Sequence, residues 1–130
     1  MSYYINKILK GKSFDEAIEL VTAELKEEGF GVLTEIDVKE TFKKKLDVDF
    51  KKYKILGACN PKYAYKSIQS EDKIGVLLPC NVVVEEHENG EIEVSAVDPI
   101  MVMSVVKNNT VEDVANEVKQ KLTNVIKNLN

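Results

Sequence analysis

Two short segments carry the residue types best suited to chemistry: Cys59-Asn60-Pro61 and Pro79-Cys80-Asn81. A thiol works as nucleophile or metal ligand only as the thiolate, and the unpaired N–H groups of a helix start favour that form. Cys59 stands directly before Asn60-Pro61, an N-cap residue followed by proline at the first helical position. It therefore has two readings, a reactive or ligand-contacting thiolate and a small apolar side chain buried at a strand end. Strict alternation puts Cys80 on one face with Ile74, Val76, Leu78, Val82 and Val84, which predicts burial. Pro79 cannot donate to a strand ladder and marks an edge or a bulge that would re-aim Cys80 and expose Asn81. A buried Asn81 among valines needs hydrogen-bond partners, either as a structural bracket or as a ligand contact. A redox pair of Cys59 with Cys80 as resolving partner requires Cα atoms roughly 4.4–6.8 Å apart.

Other chemistry is poorly supplied. The two cysteines and single histidine are too few for a zinc site, and no metal or other cofactor is expected. His87, among Glu85, Glu86 and Glu88, reads as a surface histidine. Asp47/Asp49 and the glutamates around His87 have no sequence feature that buries or positions them as acid–base pairs. Phosphate-loop, dinucleotide, Gly-x-Ser-x-Gly and His-Glu-x-x-His patterns are all missing. All 18 basic residues are lysines, so arginine's bidentate reading of phosphate and guanine is unavailable. With a net charge of −4, nucleic acid is not an expected partner, and Lys43-Lys44-Lys45 reads as a solvated helix face. The apolar runs are too short to span a bilayer, and the N-terminus lacks a signal-peptide pattern, so a cytoplasmic location is expected.

These candidates must be positioned by a single domain of 130 residues, long enough to bury a core unaided. Tyr3 to Leu9 predicts a first strand. Ser13-Phe-Asp-Glu16 is a capping box opening a helix with Phe14, Ala17, Ile18, Val21 and Leu25 on one stripe, closed by Gly29. Gly31–Asp37 alternates as a second strand, and Val38–Leu46 reads as a short charged helix. A third strand spans Tyr53–Asn60, and a helix runs from Pro61 to about Ser70 with Ala64, Tyr65 and Ile68 inward. The apolar run from Ile74 to Glu85 predicts the central strand, joined through an Asn89-Gly90 turn to a strand at Glu91–Val97. After Asp98-Pro99, residues Ile100–Val106 predict a helical turn and then an extended piece. Thr110, with Asp113, is the expected cap of a last helix whose apolar stripe reaches Leu129.

The fold expected is a two-layer α+β sandwich: a mostly antiparallel or mixed sheet of about five strands, with two long helices covering one face. The other face is too apolar to stand in water, which predicts a homodimer through it.

Three segments, Tyr53-Lys-Ile-Leu-Gly-Ala-Cys-Asn-Pro61, Gly75-Val-Leu-Leu-Pro-Cys-Asn-Val-Val-Val84 and Asp98-Pro99, resemble the signatures of the prokaryotic domain of unknown function 302 family. Gly29–Asp37 is similar to that family's second strand and its approach, and the likeness runs over essentially the whole chain. The resemblance implies a small α+β domain that tends to dimerise. The family has no established activity, so the resemblance supplies no catalytic residue. The functional expectation is a small-molecule- or partner-binding module without catalysis, with the thiol-dependent redox enzyme or sensor as alternative. Its candidate site is Cys59, Asn60, Pro61, Pro79, Cys80, Asn81 and Asp98.

Overall fold

The computed structural model describes residues 2–130. Five strands, β1 (Tyr4–Leu9), β2 (Gly31–Asp37), β3 (Tyr53–Cys59), β4 (Cys80–Glu86) and β5 (Ile92–Val97), form one sheet in the order β1-β5-β4-β3-β2. Every neighbouring pair is antiparallel. The helices are α1 (Phe14–Glu27), α2 (Val38–Leu46), α3 (Pro61–Ser70), α4 (Pro99–Met103) and α5 (Asn109–Asn128). The expected α+β sandwich is what the chain forms, with the mixed-sheet option excluded.

Alternation decides which residues meet the helices. Leu56 and Ala58 of β3, Val82 and Val84 of β4, and Ile92, Val94 and Ala96 of β5 are all buried. They pack under Phe14, Ala17, Val21 and Leu25 of α1 and the Val114–Ile126 stripe of α5. Both halves of the predicted capping box are made: Glu16 N–H donates to Ser13 Oγ at 3.1 Å, and Ser13 N–H donates to Glu16 Oε1 at 2.9 Å. At the far end of the chain Lys7 Nζ donates to the Lys127 carbonyl at 3.0 Å, so a strand lysine satisfies an otherwise unpaired carbonyl of α5. The face turned away from α1 and α5 leaves Tyr4, Ile8 and Ile36 exposed, and α2 packs beside β2 and β3 with Phe42 against Phe50 and Phe50 against Tyr53.

Three local expectations need correction. The apolar run from Ile74 is not one strand, because Asp72–Leu77 forms a 3-10 turn and β4 begins only at Cys80. Ile74 N–H donates to the Glu71 carbonyl and Leu78 N–H to the Gly75 carbonyl, the i→i+3 spacing of that turn. Pro79 has no N–H for the ladder, so pairing can start only after it, and the proline precedes the strand instead of bulging it. Secondly, Asn108 caps α5, its Oδ1 accepting from Thr110 N–H at 2.9 Å and Val111 N–H at 3.2 Å. Thr110 already lies inside the helix, so the sequence placed the cap two residues late. Thirdly, α3 turns Tyr63, Ala64 and Ser67 inward, and Tyr65 and Ile68 are exposed.

Candidate functional site

Antiparallel order brings four chain ends together at one end of the sheet. β3 finishes at Cys59 beside the starts of β2 at Gly31 and β4 at Cys80, and β5 finishes there at Val97. The chain leaves this end into α3 and α4, which pack against α5, and the 3-10 turn packs against α3. Between them lies a cavity of about 330 Å³. Its wall includes Phe30, Leu33 and Thr34 from the β2 side, Ala58, Cys59 and Asn60 from β3, and Tyr63, Ala64 and Ser67 from α3. Leu78, Pro79 and Cys80, Pro99 and Met103, and Val111 to Val118 of α5 close it.

Of the sequence candidates, Cys59, Asn60, Pro79 and Cys80 meet at this cavity, together with Pro99, the residue after Asp98. Pro61, Asn81 and Asp98 are not in its wall. Pro61 does occupy the first position of α3 as expected, exposed to solvent. Asn81 pairs with Gly57 and points to the other sheet face, exposed, because it is one residue out of phase with Cys80 and Val82. The two Cys-Asn segments therefore do not present a matched pair of amides.

Asn60 stands in the N-cap position of α3, yet its side chain makes no capping bond. Its Nδ2 donates instead to the Glu28 carbonyl at 3.2 Å, which ties the end of β3 to the last turn of α1. Gly29, in the left-handed region with φ at 88°, lies against that amide, and a Cβ there would come within 3.1 Å of Asn60 Nδ2. Gly57 is the second close approach. A Cβ on it would collide with Thr34 Oγ1 and lie 2.9 Å from Pro79 Cγ, so its bare Cα lets the proline sit over β3.

Asp98 is a buried bracket. Its Oδ1 accepts from Ile100 N–H at 2.9 Å and Met101 N–H at 3.4 Å, capping α4, and its Oδ2 accepts from Lys119 Nζ at 2.9 Å. Burial alone would raise its pKa. The Lys119 hydrogen bond, the two backbone donors and the Lys119 charge outweigh burial and hold it below the ordinary carboxylate value.

The thiols show the opposite balance. Burial raises the pKa of Cys59, and burial with the neighbouring Cys59 pushes Cys80 up to about 11. Both are free and neutral near pH 7. The helix-start argument for a Cys59 thiolate fails because desolvation of the charged form outweighs it, and the geometry favours the small apolar reading of both residues.

His87 is less isolated than its sequence neighbourhood suggests. Its Nε2 lies 2.8 Å from Glu93 Oε1, and ligand atoms of Glu85, His87 and Glu93 fall within 4.8 Å of one another. Glu85 and Glu93 are directly opposed across β4 and β5, a like-charge pairing that needs compensation. Lys51 supplies it on Glu85 at 2.6 Å, and Asn6 Nδ2 donates to Glu93 at 2.6 Å. Each carboxylate thus has partners of its own, Lys51 for Glu85 and His87 with Asn6 for Glu93. Strand register produced this arrangement, which no reading of the 85–88 segment alone could show.

A family model described as domain of unknown function DUF302 matches residues 5–129. The chain belongs to the DUF302 family. Its fold is similar to a crystal structure described as an uncharacterized conserved DUF302 protein from Bacillus stearothermophilus. That likeness has 27% sequence identity, a TM-score of 0.90, and coverage of 100% of both chains. A search of the curated proteins finds no match. The family thus agrees with the resemblance carried by the Cys-Asn segments and brings no activity with it. Among the described residues no helix is long and apolar enough to cross a membrane.

Proposed function

We propose that this DUF302 protein is a binding module, without catalysis of its own, for a small and mainly apolar molecule. The observation that carries the reading is the cavity of about 330 Å³ at the strand ends, walled almost entirely by apolar side chains. Small-molecule sites fall in the range of roughly 300–1,000 Å³ and combine such walls with a few polar groups. Two neutral thiols add polarizable, weakly polar surface and suit the same kind of occupant. Exposed Leu33 and Ile68 belong to the same wall and supply an apolar approach to it.

The test is an amide-resonance titration with a small neutral aromatic compound. Shifts concentrated at Ala58, Ala64, Ala115 and Met103 support the reading, together with their loss when Ala115→Phe fills the cavity in a folded variant. Shifts scattered over the surface, or binding that survives Ala115→Phe, overturn it. Dimerisation belongs to the proposal too: the sheet face turned away from α1 and α5, with Tyr4, Ile8 and Ile36 exposed, supports pairing of two copies through it. The expected cytoplasmic setting is a further part of the proposal, supported by the free thiols.

A further inference from the structure

One group in the cavity wall has no structural task. Ser67 sits in the second turn of α3, 5% exposed; its carbonyl accepts from Ser70 Oγ, but its hydroxyl makes no hydrogen bond among the described residues. A helical serine can bond back to the carbonyl four residues earlier, here Tyr63, and Ser67 does not. Among the described residues no sealed side-chain nitrogen or oxygen lacks a partner. The free Ser67 hydroxyl therefore faces open space, and the open space beside it is the cavity. Asn60, Thr34 and Tyr63, the other oxygen-bearing side chains of the wall, differ from it, Tyr63 in being only half-buried where Ser67 is buried. Asn60 is committed to Glu28, and Thr34 is exposed.

Resting on the cavity reading above, we infer that the occupant is an uncharged molecule with one hydrogen-bonding group, such as an alcohol, ketone or phenol, that meets Ser67 Oγ. Neutrality follows from the wall: among the described residues no charged side chain lines it, so an ionised ligand would be buried without a counter-charge. Size follows from volume. An apolar cavity of about 150 Å³ accommodates benzene, so roughly twice that space takes about a dozen non-hydrogen atoms. The polar group goes inward to Ser67 and the apolar part lies between α3 and α5, towards Leu33 and Ile68 at the exposed rim.

Three compounds of one shape separate the possibilities: 4-ethylphenol, 4-ethyltoluene, which puts a methyl where the hydroxyl was, and the 4-ethylbenzoate anion. Their affinities are measured by amide-resonance titration on the native protein and on Ser67→Ala, a replacement that favours helix and leaves a smaller side chain. Expected is a loss of roughly 3- to 10-fold for the phenol in Ser67→Ala, the effect of one hydrogen bond, with 4-ethyltoluene unchanged within about two-fold. The benzoate should bind roughly 100-fold more weakly than the phenol. If 4-ethyltoluene shifts the cavity amides but Ser67→Ala weakens both neutral compounds alike or neither, the Ser67 inference fails and the cavity reading stands. Benzoate binding as tight as the phenol's has the same meaning. If none of the three moves the cavity amides, the cavity reading fails and this inference with it.

Discussion

Replacing Asp98 by alanine should cost about 2 kcal/mol, and the structure says where that comes from. The side chain caps α4 through Ile100 and Met101, and loss of an N-cap costs typically about 1 kcal/mol. Its second oxygen holds Lys119, whose side chain is 36% exposed while that of Asp98 is 8% exposed. Lys119 can regain water when its partner is removed, so the ion pair counts near the surface value, up to about 1 kcal/mol. For a chain of 130 residues the sum corresponds to a melting temperature lower by roughly 6–10 °C. Urea unfolding monitored by circular dichroism reads the difference as a shift of midpoint at constant slope. The pH dependence follows from the lowered pKa. The native carboxyl titrates below its ordinary 3.8, so the unfolded chain binds the proton first as pH falls. The stabilisation is thus complete well above pH 3.8 and is lost as pH drops through the native value. The gap between the native protein and Asp98→Asn should be flat from pH 7 to about pH 5 and shrink below about pH 3.8. A gap that persists unchanged at pH 2, or an alanine variant within about 0.5 kcal/mol of native stability, would refute the bracket.

Gly57→Ala should destabilise by about 1–3 kcal/mol, since Thr34 can rotate its hydroxyl away but the Pro79 ring at 2.9 Å has little freedom to yield. The same variant should weaken binding in the cavity that Pro79 lines, and unchanged stability in urea would show the close approach to be relaxed at no cost. A thiol reagent at pH 7 should label native Cys59 and Cys80 slowly, with Cys80 accelerating only towards about pH 11. Rapid labelling of either near neutrality would contradict the burial argument and revive the thiol-redox alternative. Light scattering on the native protein should give the mass of two chains, and a single-chain mass at high micromolar concentration removes the pairing proposed for the sheet face of Tyr4, Ile8 and Ile36.

Much of the frame is written in local sequence. Ser13 and Glu16 dictate the start of α1, and the Asn89-Gly90 turn between alternating runs dictates the β4–β5 hairpin. The stripe of Val111, Val114, Val118, Leu122 and Val125 dictates the buried face of α5. Each depends on residues within a few positions of one another. The nearness of Cys59 and Cys80 is of another kind, since it comes from the pairing of β3 with β4, which the local pattern left open.

Tertiary structure decided the rest, because the deciding partners lie far along the chain. Hydrophobicity alone made Ile74–Val84 one strand, but Pro79 delays the ladder to Cys80 and frees the residues before it to turn over the cavity. Asn60 reads locally as a cap and serves Glu28, 32 residues earlier, while Asp98 finds Lys119 21 residues later. Ser67 carried no sequence signal beyond its four-residue spacing from Tyr63, and a rotation of α3 by about one residue separates its inward face from the one first read. A polar residue acquires meaning from the enclosure around it. That enclosure exists only once four strand ends, α3, α4 and α5 are brought to the same place.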